Sequence, residues 1–274
     1  MNYCIIYILI ILIILLLFYI NKPILSTFNN INNDDILLEN SSETVNNNND
    51  NIIPLNIFMT WNTNDMPPNM KKSVDIVKST NPEFNVYIYN DKDCYDFLKN
   101  NFIKDVVDAF DCLIPGAYKA DLWRYCILYK YGGIYQDIKF QPVNNFKYID
   151  LVDKEYFVRD IKNSGGGIYN ALLICKPKNK ILYKSIKEII KNVKNKFYGK
   201  SNLEPTGPLL MKKFFSKREI QNLELYNGWS FINDGIYKNK EKILKFYSFY
   251  RKEQLKSIKP RYTILYSQKK IYNC

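Results

Sequence analysis

The chain has 274 residues, with 39 Lys and Arg against 27 Asp and Glu, a formal charge of +12 and no histidine. Its 47% hydrophobic and 24% charged residues are globular proportions and exclude a wholly disordered chain. The missing histidines exclude Ser-His-Asp and Cys-His nucleophile systems, His-ligated zinc or haem, and an imidazole base. Chemistry must therefore rest on carboxylates, hydroxyls, Lys, Arg, amides or a metal bound through oxygen. The basic balance invites a nucleic-acid reading. The lysines, however, are scattered among Asn and Tyr without a long block, as codon bias in an AT-rich genome produces, so no nucleic-acid partner is expected.

From Cys4 to Ile20 every residue is apolar or aromatic. As a helix this run spans about 26 Å, near the thickness of a thin bilayer. It ends in Phe18-Tyr19-Ile20-Asn21-Lys22-Pro23 rather than in small residues, so it reads as an uncleaved transmembrane anchor over residues 1–21 and not as a signal peptide. Residues 22–52 are Asn-rich, with Asn46 to Asn49 in succession, and read as a flexible stem. The stem holds the sequon Asn40-Ser41-Ser42, usable only on a lumenal side. Residues 53–274 suffice for one sizeable core. Six cysteines show neither a CxxC pair nor metal-ligand spacing and leave the compartment open.

Within that domain, Ile53–Trp61 reads as a buried strand, and Pro67–Thr80 as a helix with Met70, Val74 and Val77 on one face. Phe84, Val86 and Ile88 alternate as a strand does, and short helices follow around Cys94–Leu98 and Phe102–Phe110. Pro115-Gly116 opens and Gly132-Gly133 closes a helix over Ala117–Tyr131, apolar on most sides and therefore expected to be buried. Ile134–Phe140 reads as its following strand, with Tyr135, Asp137 and Lys139 pointing one way. Later come a strand near Ala171–Lys176, a helix carrying Leu182, Ile186, Ile189, Ile190 and Val193, and a helix begun at Thr206-Gly207-Pro208. This alternation predicts an α/β domain with a mostly parallel sheet, whose ligand sits at the carboxyl ends of its strands.

Asp121 and Arg124 share a helix face, and Asp137 can converge with them at the end of the next strand. Arg offers forked donors to phosphate, and carboxylates bind sugar hydroxyls or a hard cation. The same residues, taken bare, also fit an internal Asp121–Arg124 pair with Asp137 at a strand edge. Gly165-Gly166-Gly167 lacks the flanking residues of a P-loop and reads as a mobile substrate loop or a plain connector. Trp229 reads as a core or turn aromatic. Lys212, Lys213, Lys217 and Arg218 read as a solvated helix face.

The string from Ala117 to Ile138, AYKADLWRYCILYKYGGIYQDI, resembles the signature of glycosyltransferase family 32, the DXD-type family of fungal Golgi mannosyltransferases and α-1,4-galactosyltransferases. Weaker landmarks include Ile53-Pro54, Thr60-Trp61, Pro67-Pro68, Asn81-Pro82, Asn170-Ala171, Lys176-Pro177, Thr206-Gly207-Pro208 and Arg261-Tyr262. The resemblance implies a GT-A fold, Rossmann-like with a mostly parallel central sheet flanked by helices, following one N-terminal transmembrane helix. It further implies retaining transfer of a hexose from a UDP- or GDP-sugar to a glycan or glycolipid acceptor. A single-pass, type II placement in the endoplasmic reticulum or Golgi, with the domain lumenal, goes with it. Carried onto this sequence, Trp61 would stack on the base. Asp121 and Arg124 would hold sugar hydroxyls, and the arginine also phosphate. Asp137, the first DXD aspartate, would touch ribose or metal, and Asn170 would lie near the transferred sugar. Tyr118, Tyr135, Thr206 and Gly207 complete the expected substrate-binding set.

Two departures stand out. Lys139 occupies the place of the second DXD aspartate, usually the direct metal ligand, and Arg261 stands where members often carry a histidine, with Tyr266 for the usual tryptophan. Three outcomes follow from Lys139. Asp137 and other groups still bind Mn²⁺ or Mg²⁺; or the lysine itself supplies positive charge, making it catalytic with Asp137 and Asn170; or the domain is an inactive sugar-nucleotide or glycan binder.

Overall fold

The computed structural model describes residues 52–160, 166–228, 235–254 and 260–274, all within one compact unit of the chain. The anchor, all but the last residue of the stem, Trp229 and Gly165 lie outside the described residues, within which no helix is long and apolar enough to cross a membrane.

The first strand, β1 (Asn56–Thr60), sends Phe58 to one side of the sheet and Ile57 and Met59 to the other, the period-two pattern of a strand with two buried faces. Pro68 opens α1 (Pro68–Thr80), which buries Met70, Val74 and Val77 as its spacing predicts. After β2 (Asn85–Tyr89), Asn90 caps α2 (Asp91–Asn101) in a reciprocal box with Asp93. A short helix, α3 (Lys104–Cys112), leads into α4 (Gly116–Tyr131). Helix α4 buries Tyr118 and every residue from Asp121 to Tyr129, as expected of a helix apolar on nearly all sides.

A tight turn joins α4 to β3 (Gly133–Gln136). Gly132 and Gly133 both have positive φ, and a Cβ on Gly133 would lie 2.7 Å from the Asn56 carbonyl oxygen, so only glycine lets β3 seat beside β1. Here the structure corrects the sequence reading. The strand does not run on to Phe140: the Phe140 N–H turns back to the Asp137 carbonyl at 3.0 Å. The chain then leaves for β4 (Phe140–Pro142), at the far edge of the sheet.

A 3₁₀ turn (Tyr148–Leu151), β5 (Tyr156–Asp160) and β6 (Ile168–Cys175) follow. Asn179 caps α5 (Lys180–Lys194), whose buried face holds Leu182, Ile186, Ile189, Ile190 and Val193. The helix begun at Gly207 is brief, α6 (Pro208–Lys212), and is followed by α7 (Lys217–Gln221), which buries nothing. Strands β7 (Leu225–Asn227), β8 (Gly235–Lys238) and β9 (Glu241–Phe246) then lead to α8 (Tyr250–Gln254) and α9 (Tyr262–Ser267).

Among the described residues the sheet has nine strands, in the order β2-β1-β3-β6-β5-β7-β8-β9-β4. Only β1/β2, β1/β3 and β5/β7 pair in parallel; the other five pairings are antiparallel, so the sheet is mixed rather than mostly parallel. Part of the cause is local: β5 and β6, and likewise β7, β8 and β9, follow one another at separations shorter than the dozen or more residues a parallel crossover needs, and neighbours joined that closely pair antiparallel. Two apolar cores flank the sheet, one beneath α4 and α5 and the other beneath α1 and Tyr148. A disulfide, Cys112–Cys274, ties the chain end to α3, beside hydrogen bonds from the Ile114 N–H to the Ile271 carbonyl and from the Asn273 N–H to the Cys112 carbonyl, each 3.0 Å.

Candidate functional site

A cleft of about 950 Å³ opens where β1 and β3 end, the place an α/β sheet presents its ligand. Thr60 and Trp61 line it from the end of β1, and Asp137 and Lys139 from the turn after β3. Arg124 and Ala120 reach it from α4, and Tyr250, Arg251, Arg261 and Tyr262 from the C-terminal helices. Among the described residues, five cationic side chains line it (Lys119, Arg124, Lys139, Arg251 and Arg261) against three acidic ones (Asp91, Asp137 and Asp160), a balance that favours an anion.

Asp137 is the hub. Its Oδ1 accepts from the Tyr135 hydroxyl at 2.8 Å and faces Arg124 at 3.3 Å, while Oδ2 accepts from Lys139 Nζ at 2.6 Å. Burial works to raise the Asp137 pKa, but Lys139 and Arg124 together more than offset it, and the carboxyl is held below its usual range. Burial likewise opposes charge on Lys139, but the Asp137 carboxylate outweighs it and holds the ammonium above the usual lysine range. Arg124 is fixed by its own helix and by two strands: Nε donates to the Ala120 carbonyl at 3.0 Å, another nitrogen donates to the Asn170 carbonyl on β6 at 2.7 Å, and the guanidinium lies 4.3 Å over the Tyr135 ring of β3.

Behind this lies a second carboxylate. Asp121 accepts from Asn170 Nδ2 on Oδ1 and from the Thr206 hydroxyl on Oδ2, both at 2.7 Å, with Arg124 3.6 Å away. Burial dominates here and raises the Asp121 pKa despite Arg124. Asn170 also donates to the Tyr125 hydroxyl at 3.0 Å. Gly207 packs so close that a Cβ there would sit 3.3 Å from Asp121 Oδ2. Tyr118 donates its hydroxyl to the Asn202 carbonyl at 2.6 Å.

The expected site residues therefore separate into two layers. Trp61, Arg124, Tyr135, Asp137 and Lys139 line the cleft; Tyr118, Asp121, Asn170 and Thr206 are not among its lining residues and bond to one another or to the wall, with Gly207 packed against Asp121. Arg261 lines the cleft, whereas Tyr266 donates to the Gly199 carbonyl at 3.2 Å away from it. The sequence reading missed Tyr169, Phe246, Tyr250, Asp160 and Asn227. Asp160 on β5 accepts from Asn227 on β7 at 3.1 Å and lines the same cleft. No motif marks these residues, because they come from short strands and a helix far apart in the chain.

The residues present do not fit a resident divalent ion at Asp137. Both carboxylate oxygens are engaged, one of them by an ammonium, and among the described residues no group of three or more acidic or cysteine side chains could enclose a metal.

Residues 67–158 match the family described as the glycosyltransferase sugar-binding region containing a DXD motif, a stretch holding Asp121, Arg124, Asp137 and Lys139. Residues 67–158 are thus similar to the sugar-binding region of the DXD-type glycosyltransferases, in keeping with the resemblance read from the sequence. It is 31% identical over 91 residues to the initiation-specific alpha-1,6-mannosyltransferase of Candida albicans, covering 31% of this chain and 24% of that protein. It is 26% identical over 144 residues to mannosyl phosphorylinositol ceramide synthase SUR1 of Saccharomyces cerevisiae, covering 50% and 35%. The chain thus spans between a quarter and about a third of these relatives' length. Among solved structures, the PaToxG glycosyltransferase superposes with a TM-score of 0.45 at 19% identity, over 59% of this chain and 68% of that one.

Proposed function

We propose that residues 53–274 form a GT-A-type retaining glycosyltransferase domain that moves a hexose from a nucleotide diphosphate sugar to a glycan or glycolipid acceptor. Mannose is the first sugar to test, because the relatives are named for mannosyl transfer. The observation that carries this reading is the triad of Arg124, Asp137 and Lys139 in a cationic cleft, inside the stretch that matches the sugar-binding region.

In this reading the diphosphate lies against Arg124 and Lys139, and Trp61 at the end of β1 covers the base. Cleavage of the bond between the anomeric carbon and the phosphate oxygen leaves the electron pair on the diphosphate, where the two cations stabilise the developing charge. The acceptor hydroxyl attacks the same face, and its proton leaves with the diphosphate. Asp121 holds Arg124 in place from behind, aided by Asn170 and Thr206. The Cys112–Cys274 disulfide agrees with an oxidising, lumenal compartment, and residues 1–21 would anchor the domain there.

The test is donor hydrolysis and transfer by the full chain purified in detergent, offered UDP- and GDP-hexoses. Release of nucleotide from one donor, lost in Asp137→Asn while circular dichroism shows the variant folded, is the expected result. Full activity in the folded variant would remove Asp137 from the site. Nucleotide binding without turnover of any donor would favour the binding-protein alternative that Lys139 raises.

A further inference from the structure

The Lys139 ammonium is built into the cleft rather than resting in it. Its Nζ lies 2.6 Å from Asp137 Oδ2, and its side chain is only 15% exposed. The rings of Phe140, Tyr169 and Phe246 stand around it, each with its centroid 5.3 Å from the nitrogen, an arrangement that favours a cation and excludes water from three sides. The backbone is pinned as well: the Lys139 carbonyl accepts from the Tyr247 N–H at 2.9 Å, and the Asp137 N–H donates to the Ala171 carbonyl at 2.8 Å. Tyr247 follows β9 and Ala171 lies on β6, so the turn that carries Lys139 is held by two separate strands of the sheet.

Charge counting gives the seat a meaning. An aspartate holding a divalent ion carries one net positive charge, and so does a lysine. Replacing the second acidic residue of the motif by Lys139 therefore leaves the charge facing a diphosphate unchanged while removing the need to capture an ion. A divalent ion at Asp137 would instead have to displace the ammonium from Oδ2 and then sit beside it, two like charges in a low-dielectric wall.

We propose that Lys139 is the built-in cation of this cleft, so that the protein binds the diphosphate of its donor, and transfers the sugar, without a divalent metal. This rests on the donor-cleft reading above and specifies its cofactor requirement.

The experiment uses the full chain in detergent, stripped with EDTA, with calorimetric titration of UDP, GDP and their parent nucleosides and parallel assays of donor hydrolysis. One nucleoside diphosphate should bind in EDTA, with Kd and hydrolysis rate changing less than about threefold on adding Mn²⁺. Lys139→Met should weaken that diphosphate at least about tenfold, worth about 1.4 kcal/mol, while the parent nucleoside binds as before and Mn²⁺ restores nothing. A lysine that merely props the wall would weaken nucleoside and diphosphate alike. Lys139→Asp, which places two carboxylates on the turn, should lose the EDTA-resistant activity and recover part of it in Mn²⁺. Binding or turnover by the unmodified protein that disappears in EDTA and returns with Mn²⁺ overturns the proposal while leaving the glycosyltransferase reading intact. Absence of binding and hydrolysis in both conditions, from folded protein, overturns both.

Discussion

Asp137 and Asp121 show how two carboxylates on neighbouring elements acquire opposite character. Both are desolvated, but Asp137 has two cations on it, whereas Asp121 relies on neutral donors and a more distant Arg124. Asp137 therefore stays ionised in mild acid, and Asp121 takes up a proton more readily than a free aspartate. Because Asp137 titrates lower folded than unfolded, its charge stabilises the protein above the unfolded pKa of about 3.9, and that contribution fades as pH falls through the folded value. Asp137→Asn removes the carboxylate that Lys139 and Arg124 share, leaving Arg124 only the more distant Asp121, and should cost about 3 kcal/mol at pH 7. The gap to wild type should close as the pH drops below about 4, a trend that urea titrations at several pH values would measure. A pH-independent gap would mean that lost packing, not lost charge, sets the cost.

At the level of elements, α4 and the glycine pair behind it do most to place the site. The helix sets Arg124 above Tyr135, and the turn at Gly132-Gly133 brings β3 alongside β1 so that Trp61 and Asp137 open into one cleft. Gly133→Ala puts a Cβ against the Asn56 carbonyl at a φ of 102°, and should cost about 2–3 kcal/mol of stability. Gly116→Ala is the control, since nothing lies within 4 Å of its added carbon; it should be neutral or slightly stabilising in the same denaturant titration. Equal losses in the two variants would show that the turn is not strained. Helix α4 was legible because a Pro-Gly and a Gly-Gly bracket an apolar run. Strands β4, β5 and β7–β9 were not, because strands of three to six residues carry too little alternation to stand out from turns.

For the whole molecule, the C-terminal segment closes one wall of the cleft with Arg261 and Tyr262 and is then tied to α3 through Cys274. The bond joins residues 162 apart, so it removes much freedom from the unfolded chain. Cys274→Ser should lower stability by about 4 kcal/mol, and reductant should bring the unmodified protein to the same urea midpoint. A midpoint insensitive to reductant would show that the thiols are not joined in solution. Cys126 and Cys175, whose thiols burial pushes well above their ordinary range, should not compete for the pairing.

From sequence alone came the chemistry that no histidine could serve, the buried helix, and the cluster of Asp121, Arg124, Asp137 and Lys139, all within nineteen residues. Local pattern reveals such things because helix spacing, glycine punctuation and residue type act over a few turns of chain. Tertiary structure decided the mixed order of the sheet, which carboxylate faces the cleft and which supports it, and the seat of Lys139. The rings around that lysine come from positions 140, 169 and 246. Their meeting depends on the antiparallel pairing of β4 with β9 and on the return of β6, long-range contacts that no short window of sequence records.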